Sequence, residues 1–499
     1  MEKPIGYCSM LKATSTLAGA KVLTILISIF RTKVLAILLG PSGMGALGLV
    51  MASTDLARVA FSFGLDTATA RRVAETSATG SADAVDHAYR TSARTALFAG
   101  LFSSVVLCAA SPVLAQRMLG DVGKFWWFGL GALSLVFTPL LGVQLAFLQG
   151  LRQTRSLASC QILASLCGAV LNITLVIFLG VLGSILALAP LTITSLIIHH
   201  WFLKRHRPVP SGVLVPVLLK DSAGLIKLGS GFAINGIWLA ASGWLNLVFI
   251  GYYYGSQESV HQIGLYGAAS TMSNLYIGIL VSAMATEFYP ALVQAASDRN
   301  AIKHLLNQQT FLAVTLGVPA TMGLMIMAPL VLALLYSPDF TPASDLTKWM
   351  LAAMAVRFAS CPLGFTMLAV GRPRLIVASE LAMGAVMISS SYALVQVFGL
   401  VGIGIAMLST NLLYLIGAIF VTYRMGIHWN FRSFMVLAET FLILALCLAA
   451  SLLFPGWKGL AFGLFLVAGY SFHLIFMIRR DAGVDLSAIL RKLLPWKHA

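Results

Sequence analysis

The sequence predicts an all-α polytopic membrane protein with about fourteen transmembrane helices. Three observations carry that expectation. Apolar runs recur from residue 14 to residue 478, each near or above the roughly 18–20 residues a helix needs to cross a bilayer. Only 10% of the 499 residues are charged, against about 25% in a soluble domain. The mean hydropathy is +0.90 and 59% of the residues are hydrophobic. A soluble core does not require so many long, nearly uncharged runs.

In chain order the expected spans are 14–39, 44–66, 95–116, 125–149, 157–179, 182–203, 223–253, 264–289, 310–336, 346–370, 375–398, 402–423, 434–454 and 458–478. The first reads as a span and not as a cleavable signal peptide, because its apolar run outlasts signal-peptide length behind Lys3 and Lys12. The basic residues test the map. With the N-terminus inside, cytoplasmic segments hold 24 of the 33 Lys and Arg residues, among them Arg71, Arg72, Arg90, Arg94, Lys204, Arg205, Arg207, Arg424, Arg432, Arg479 and Arg480. The opposite side holds four, Arg117, Lys124, Lys348 and Lys458. This positive-inside pattern places both termini in the cytoplasm. It also accounts for the net charge of +16 without nucleic acid, since such charges set topology and favour anionic headgroups.

The chain repeats itself. Residues 45–56 resemble 264–275 at an offset of 219, pairing Gly45 with Gly264 and Gly48 with Gly267. Residues 178–189 resemble 397–408, and a third match near 152 pairs Arg152 with Arg372. The offset spans six helices, an even number, so the halves share one membrane orientation as a parallel repeat. The expected divisions are an N-lobe at 1–203 (helices 1–6), a cytoplasmic linker at 204–221, a C-lobe at 222–424 (helices 7–12), and helices 13–14 with a tail at 425–499. Two bundles related by an axis along the membrane normal suit a rocking transporter with its site between the lobes. No ion-channel filter motif is visible.

Gly43-x-Gly45-x-x-Gly48 matches a dinucleotide-binding spacing, but that signature needs a preceding strand within a βαβ unit. Here helical apolar runs flank it, so it reads as a tight turn in which Pro41 stops the first helix. No nucleotide-hydrolysis, metalloprotease or catalytic-triad pattern appears, so no catalytic residue, cofactor or metal ligand is expected. The six cysteines are scattered without metal-ligand spacing.

Five cations fall inside spans: Lys21, Arg31, Lys33, Arg58 and Arg357. Each costs about 2.5–3.5 kcal/mol at a helix centre, so each should face protein or a wet cavity. Asp55 and Arg58 are three apart and share a helix face, where they can pair. Lys21 and Lys33 can snorkel toward the interfaces. Together the cations suit an anionic substrate, a phosphate or diphosphate, for which guanidinium offers bidentate bonding. Asp55 and Glu287 are the candidates for proton coupling. Glu380 can pair with Arg372 or Arg374, Glu439 reads as structural, and Trp244, Tyr266, Tyr276 and Tyr289 are candidates for stacking on sugars.

The opening "LKATSTLAGAKVLTILISIFRTKVLAILLGPSGMGALGLV" and "IGLYGAASTMSNLYIGILVSAMATEFYPAL" resemble Wzx-type oligosaccharide-lipid flippases. These form the polysaccharide transporter branch of the multidrug/oligosaccharidyl-lipid/polysaccharide superfamily. The resemblance implies a V-shaped core of two six-helix lobes and translocation of undecaprenyl-diphosphate-linked oligosaccharide repeat units across the inner membrane. It implies a cationic cavity, carried here onto Arg31, Lys33, Arg58 and Arg357. A polysaccharide polymerase and a chain-length regulator are the protein partners it suggests. Many such flippases have about twelve spans, whereas fourteen is closer to lipid II flippases, in which the last two helices form a groove for the lipid tail. The alternatives are a lipid II-type flippase, a multidrug or small-metabolite antiporter, and a membrane-embedded glycan polymerase or ligase. The antiporter calls for an acidic cavity, and the polymerase for a large catalytic loop on the far side.

Overall fold

The computed structural model of the protein describes residues 7–78, 82–151, 153–206, 219–286, 288–371, 373–454 and 456–482. Among them the long elements are all helices. They are α1 (Tyr7–Ser62), α2 (Leu65–Ala78), α3 (Ala82–Leu114), α4 (Phe125–Gly150), α5 (Thr154–Leu186), α6 (Leu188–His206), α7 (Leu219–Thr286), α8 (Phe288–Gln294), α9 (Arg299–Ile326), α10 (Ala328–Leu335), α11 (Ser344–Ala369), α12 (Pro373–Phe398), α13 (Val401–Arg424), α14 (Phe431–Leu453) and α15 (Trp457–Ala482). An apolar solvent explains the monotony, because a helix satisfies its own backbone where no water can. Nine of the described helices are long and apolar enough to cross a membrane. Of the expected stretches, 14–39 and most of 44–66 lie on α1, and 223–253 and most of 264–289 lie on α7.

Those two long helices are each broken at one glycine. Gly40 (φ 61°, ψ −176°) interrupts α1 and Gly255 (φ 74°, ψ 171°) interrupts α7. That region of backbone space is open essentially to glycine alone. Pro41 therefore does not stop the first helix. Gly40 does, and Pro41 opens the next helical segment, where its missing N–H costs nothing. Gly180 within α5 and Gly399 after α12 also have positive φ, 59° and 58°. They are aligned positions of the repeat, and the two share a positive φ.

The chain forms two compact units. The first comprises residues 1–268, 332–340 and 391–400. Its buried core draws Leu65 and Val73 from α2, Val85 and Tyr89 from α3, Val143, Phe147 and Leu148 from α4, Leu157 and Cys160 from α5, and Leu203 from α6. Small residues bring these helices close. A Cβ placed on Gly100 of α3 would lie 2.6 Å from the Leu135 carbonyl oxygen of α4. His199, near the C-terminal end of α6, is 3% exposed, with Nδ1 2.7 Å from the Ser195 carbonyl oxygen.

The second unit comprises residues 269–331, 341–390 and 401–499. It is organised about α11, whose segment is 72% buried over its most apolar window. Phe358 of α11 is fully buried and packs where Gly317 of α9 leaves room. Trp349 and Leu346 fit against Gly404 of α13 in the same way. Lys348, only 8% exposed, is held by Asp345 at 2.8 Å and by the Ser451 carbonyl at 2.9 Å. A cation there complements the C-terminal end of α14. The expected linker at 204–221 lies largely outside the described residues.

The α3–α4 contact makes a direct prediction. Gly100→Ala forces a methyl into the α4 backbone and should destabilise the fold by about 1–3 kcal/mol. Gly129→Ala, with nothing within 4 Å of its added Cβ, should be neutral or slightly stabilising. Thermal unfolding of both variants in detergent decides it. Equal midpoints would show that the close approach is not required.

Candidate functional site

The in-span charges fall into distinct environments. Arg31 and Lys33 are two residues apart on α1, so they point to different sides of the helix. Lys33 donates its Nζ to the carbonyl oxygen of Leu334, in the last turn of α10. That carbonyl is one of the acceptors a helix end leaves free, and Lys33 acts as its cap. Arg31 is partly buried, its Nε is shielded from solvent, and that atom has no hydrogen-bond partner. No carboxylate neutralises it among the described residues. Lys21 is exposed, and only its backbone carbonyl is engaged, by Thr24 at 2.9 Å.

Asp55 and Arg58 form the ion pair that their spacing suggests, with Arg58 Nη2 and Nε donating to Asp55 Oδ1 at 2.8 and 3.0 Å. The pair lines a cavity of about 440 Å³ in the first unit, bounded by α1, α4 and α6. Thr54, Ser134, Thr138 and Thr192 add hydroxyls, and Met51, Leu135 and Leu188 add apolar wall. Each of these hydroxyls donates to a carbonyl of its own helix, so lone pairs remain to accept hydrogen bonds. The cavity is amphiphilic, with its only acid already matched by a guanidinium.

In the second unit Arg357 Nη2 donates to Glu380 Oε1 at 3.2 Å, and its guanidinium stacks on the Tyr414 ring at 4.6 Å. The Tyr414 hydroxyl is also hydrogen-bonded to Glu380. Glu380 therefore pairs with Arg357 of α11, while the side chains of Arg372 and Arg374 lie outside the described ones. Sequence spacing misses Tyr414 because it reaches the site across the α11–α13 packing; only an unexplained tyrosine within an apolar span hints at it. Glu439 is paired with His473 at 3.3 Å. Glu287 and the side chain of Tyr276 lie outside the described residues.

The aromatic candidates divide as well. Trp244 donates Nε1 to Ser53 Oγ at 3.0 Å, and Tyr266 accepts from Asn246 at 3.4 Å. Tyr289 packs on Phe365 with ring centroids 6.1 Å apart. These are packing and hydrogen-bonding roles within each unit.

A two-unit helical bundle of this kind, with a repeated architecture and charges inside its spans, has the fold of the MOP superfamily of membrane transporters. It matches a lipid II flippase in its inward closed conformation with a TM-score of 0.72 at 11% identity, covering 94% of this chain and 99% of that one. It matches an inward-facing multidrug resistance MATE family transporter of the MOP superfamily with a TM-score of 0.65 at 15% identity, over 87% and 96% of the two chains. The chain belongs to the polysaccharide biosynthesis protein family, whose model matches residues 34–345. It is 20% identical to the lipid III flippase of Escherichia coli (strain K12) over 317 residues, 64% of this chain and 75% of that protein.

The Arg357–Glu380 pair can be tested for its structural part. Glu380→Gln leaves Arg357 uncompensated and should cost about 1–2 kcal/mol, reduced from the fully buried case by partial exposure. The double variant Arg357→Met with Glu380→Met should recover most of that loss. Unfolding midpoints that leave the double variant no better than the single would refute the pairing as an energetic unit.

Proposed function

We propose that this protein is a flippase that moves undecaprenyl-diphosphate-linked oligosaccharide repeat units across the bacterial inner membrane by alternating access. It would serve surface polysaccharide synthesis as O-antigen, capsule or exopolysaccharide, with both termini cytoplasmic and with a polymerase and a chain-length regulator as partners. The observation that carries this reading is Arg31, a guanidinium in an apolar helix whose buried Nε has no partner. A group with five donors and a fixed charge needs an anion in that setting. Diphosphate suits it because the oxygens of a phosphoryl group match the guanidinium fork.

The remaining residues take consistent places. Lys33 is committed to the α10 carbonyl and would position α1 rather than bind cargo. Arg58 reaches cargo only by leaving Asp55, and Asp55 would regain a proton or Arg58 as cargo departs. The hydroxyl-lined cavity beside this pair suits sugar hydroxyls, with apolar wall for the faces of the rings. Arg357 faces the same exchange against Glu380 in the second unit. Glu287 remains a candidate for proton coupling and Lys21 for attracting the anionic headgroup. Family membership and relatives named as lipid III and lipid II flippases support a lipid-linked cargo. An antiporter of cationic drugs is disfavoured, because the acid that would attract them is neutralised by Arg58.

The test is Arg31→Ala, alone and with Arg357→Ala. Removing a charge from an apolar span relieves its insertion cost, so the Arg31 variant should insert and fold normally. Flipping of the lipid-linked repeat unit should fall at least tenfold, with partial retention in Arg31→Lys. Glycolipid analysis should show the repeat unit accumulating on the inner leaflet. Full glycan export by the folded double variant would sink the cationic-site reading.

A further inference from the structure

The second unit holds a cavity of about 520 Å³, within the size range of small-ligand sites. It lies where the α9–α10 junction, the first turns of α11, the end of α14 and the start of α15 converge. It shares no residue with the Asp55–Arg58 cavity or the Arg357–Glu380 pair. Glycine helps to keep it open. Gly456 (φ 82°) and Gly459 line it and carry the chain from α14 into α15 without side chains that would fill the space. A Cβ on Gly459 would lie 1.9 Å from the Phe454 carbonyl oxygen.

The charged lining is one anion and one cation, Asp345 and Lys348. The Lys348 side chain is almost wholly buried, whereas Asp345 is exposed. An ammonium has three donors. Two of those on Lys348 go to Asp345 Oδ1 and the Ser451 carbonyl oxygen, which leaves a third for an acceptor in the cavity. Trp457 adds an indole N–H to the lining. Asp345 spends Oδ1 on Lys348, so its second oxygen can meet a cation. A lone anion would be repelled by Asp345 and a lone cation by Lys348. A ligand carrying both charges satisfies both.

The surroundings say where such a ligand comes from. Leu330, Phe454 and Trp457 line the cavity and are also largely exposed. In a chain that crosses a bilayer, apolar side chains exposed in this way face lipid, and tryptophan concentrates at the membrane–water interface. By the distribution of basic residues, this end lies opposite the cytoplasmic loops.

We propose that the cavity binds the headgroup of an ethanolamine-type phospholipid from the far leaflet, with its phosphate on Lys348 and Trp457 and its ammonium on Asp345. A primary ammonium can donate to the carboxylate, whereas a choline headgroup has no N–H to give. The bound lipid ties α14 and α15 to α11. This site is independent of the cargo reading.

The test is native mass spectrometry of the full-length, delipidated protein in detergent. Dioleoyl phosphatidylethanolamine, phosphatidylcholine and phosphatidylglycerol are each added at the same concentration. A single-lipid adduct several-fold more abundant with the ethanolamine headgroup is expected. Asp345→Asn should bring ethanolamine and glycerol headgroups to equal adducts, and Lys348→Met should lose both. Asp345→Asn alters an exposed carboxylate, so it keeps the test available where Lys348→Met does not fold. Lys458→Gln, beside Trp457 but outside the cavity lining, should change nothing. The ethanolamine lipid should also raise the unfolding midpoint of the unmutated protein and not that of Asp345→Asn. Equal adducts for the three lipids, or an ethanolamine preference that survives Asp345→Asn, overturn the site. Glycerophosphoethanolamine, the same headgroup without tails, should not compete. Full competition would make a soluble zwitterion the ligand and overturn the lipid assignment.

Discussion

Nearly every feature of this protein follows from the cost of a polar group without a partner in an apolar bundle. The backbone meets that cost by becoming helix almost everywhere it is described. The charged side chains meet it one by one. Lys33 finds a helix-end carbonyl, Lys348 an aspartate and a carbonyl, Arg58 a carboxylate one turn away, and Arg357 both a carboxylate and an aromatic face. Arg31 has a buried Nε without a hydrogen-bond partner, as does Arg90 on α3.

The same scarcity of polar glue gives glycine its weight. Without a hydrophobic driving force between helices in lipid, adhesion depends on close packing. Gly100 against α4 and Gly317 against Phe358 are permanent contacts within the units. Gly45 and Gly264 use the same close approach, each against the other segment's backbone carbonyl.

Several features were legible in the residues before any coordinates. The apolar runs required helices. The Asp55–Arg58 spacing anticipated an ion pair. The repeat matches at an offset of 219 reappear as a shared positive φ at Gly180 and Gly399. Other features were misread or invisible. Pro41 looked like the helix stop, but a proline begins a helix more readily than it ends one, and the break belongs to Gly40. For Glu380, spacing ranks neighbours along the chain and could not point to Arg357, a partner that comes from α11.

The sequence by itself determined the solvent, the helical class, the duplication and the set of charges that need an explanation. Those depend on composition and period, which are local along the chain. Only the tertiary structure decided which charge meets which partner, that Tyr414 joins Arg357 and Glu380, and that Gly45 and Gly264 meet backbone to backbone. Such pairings join residues tens to hundreds of positions apart, and burial makes them decisive only once the helices pack.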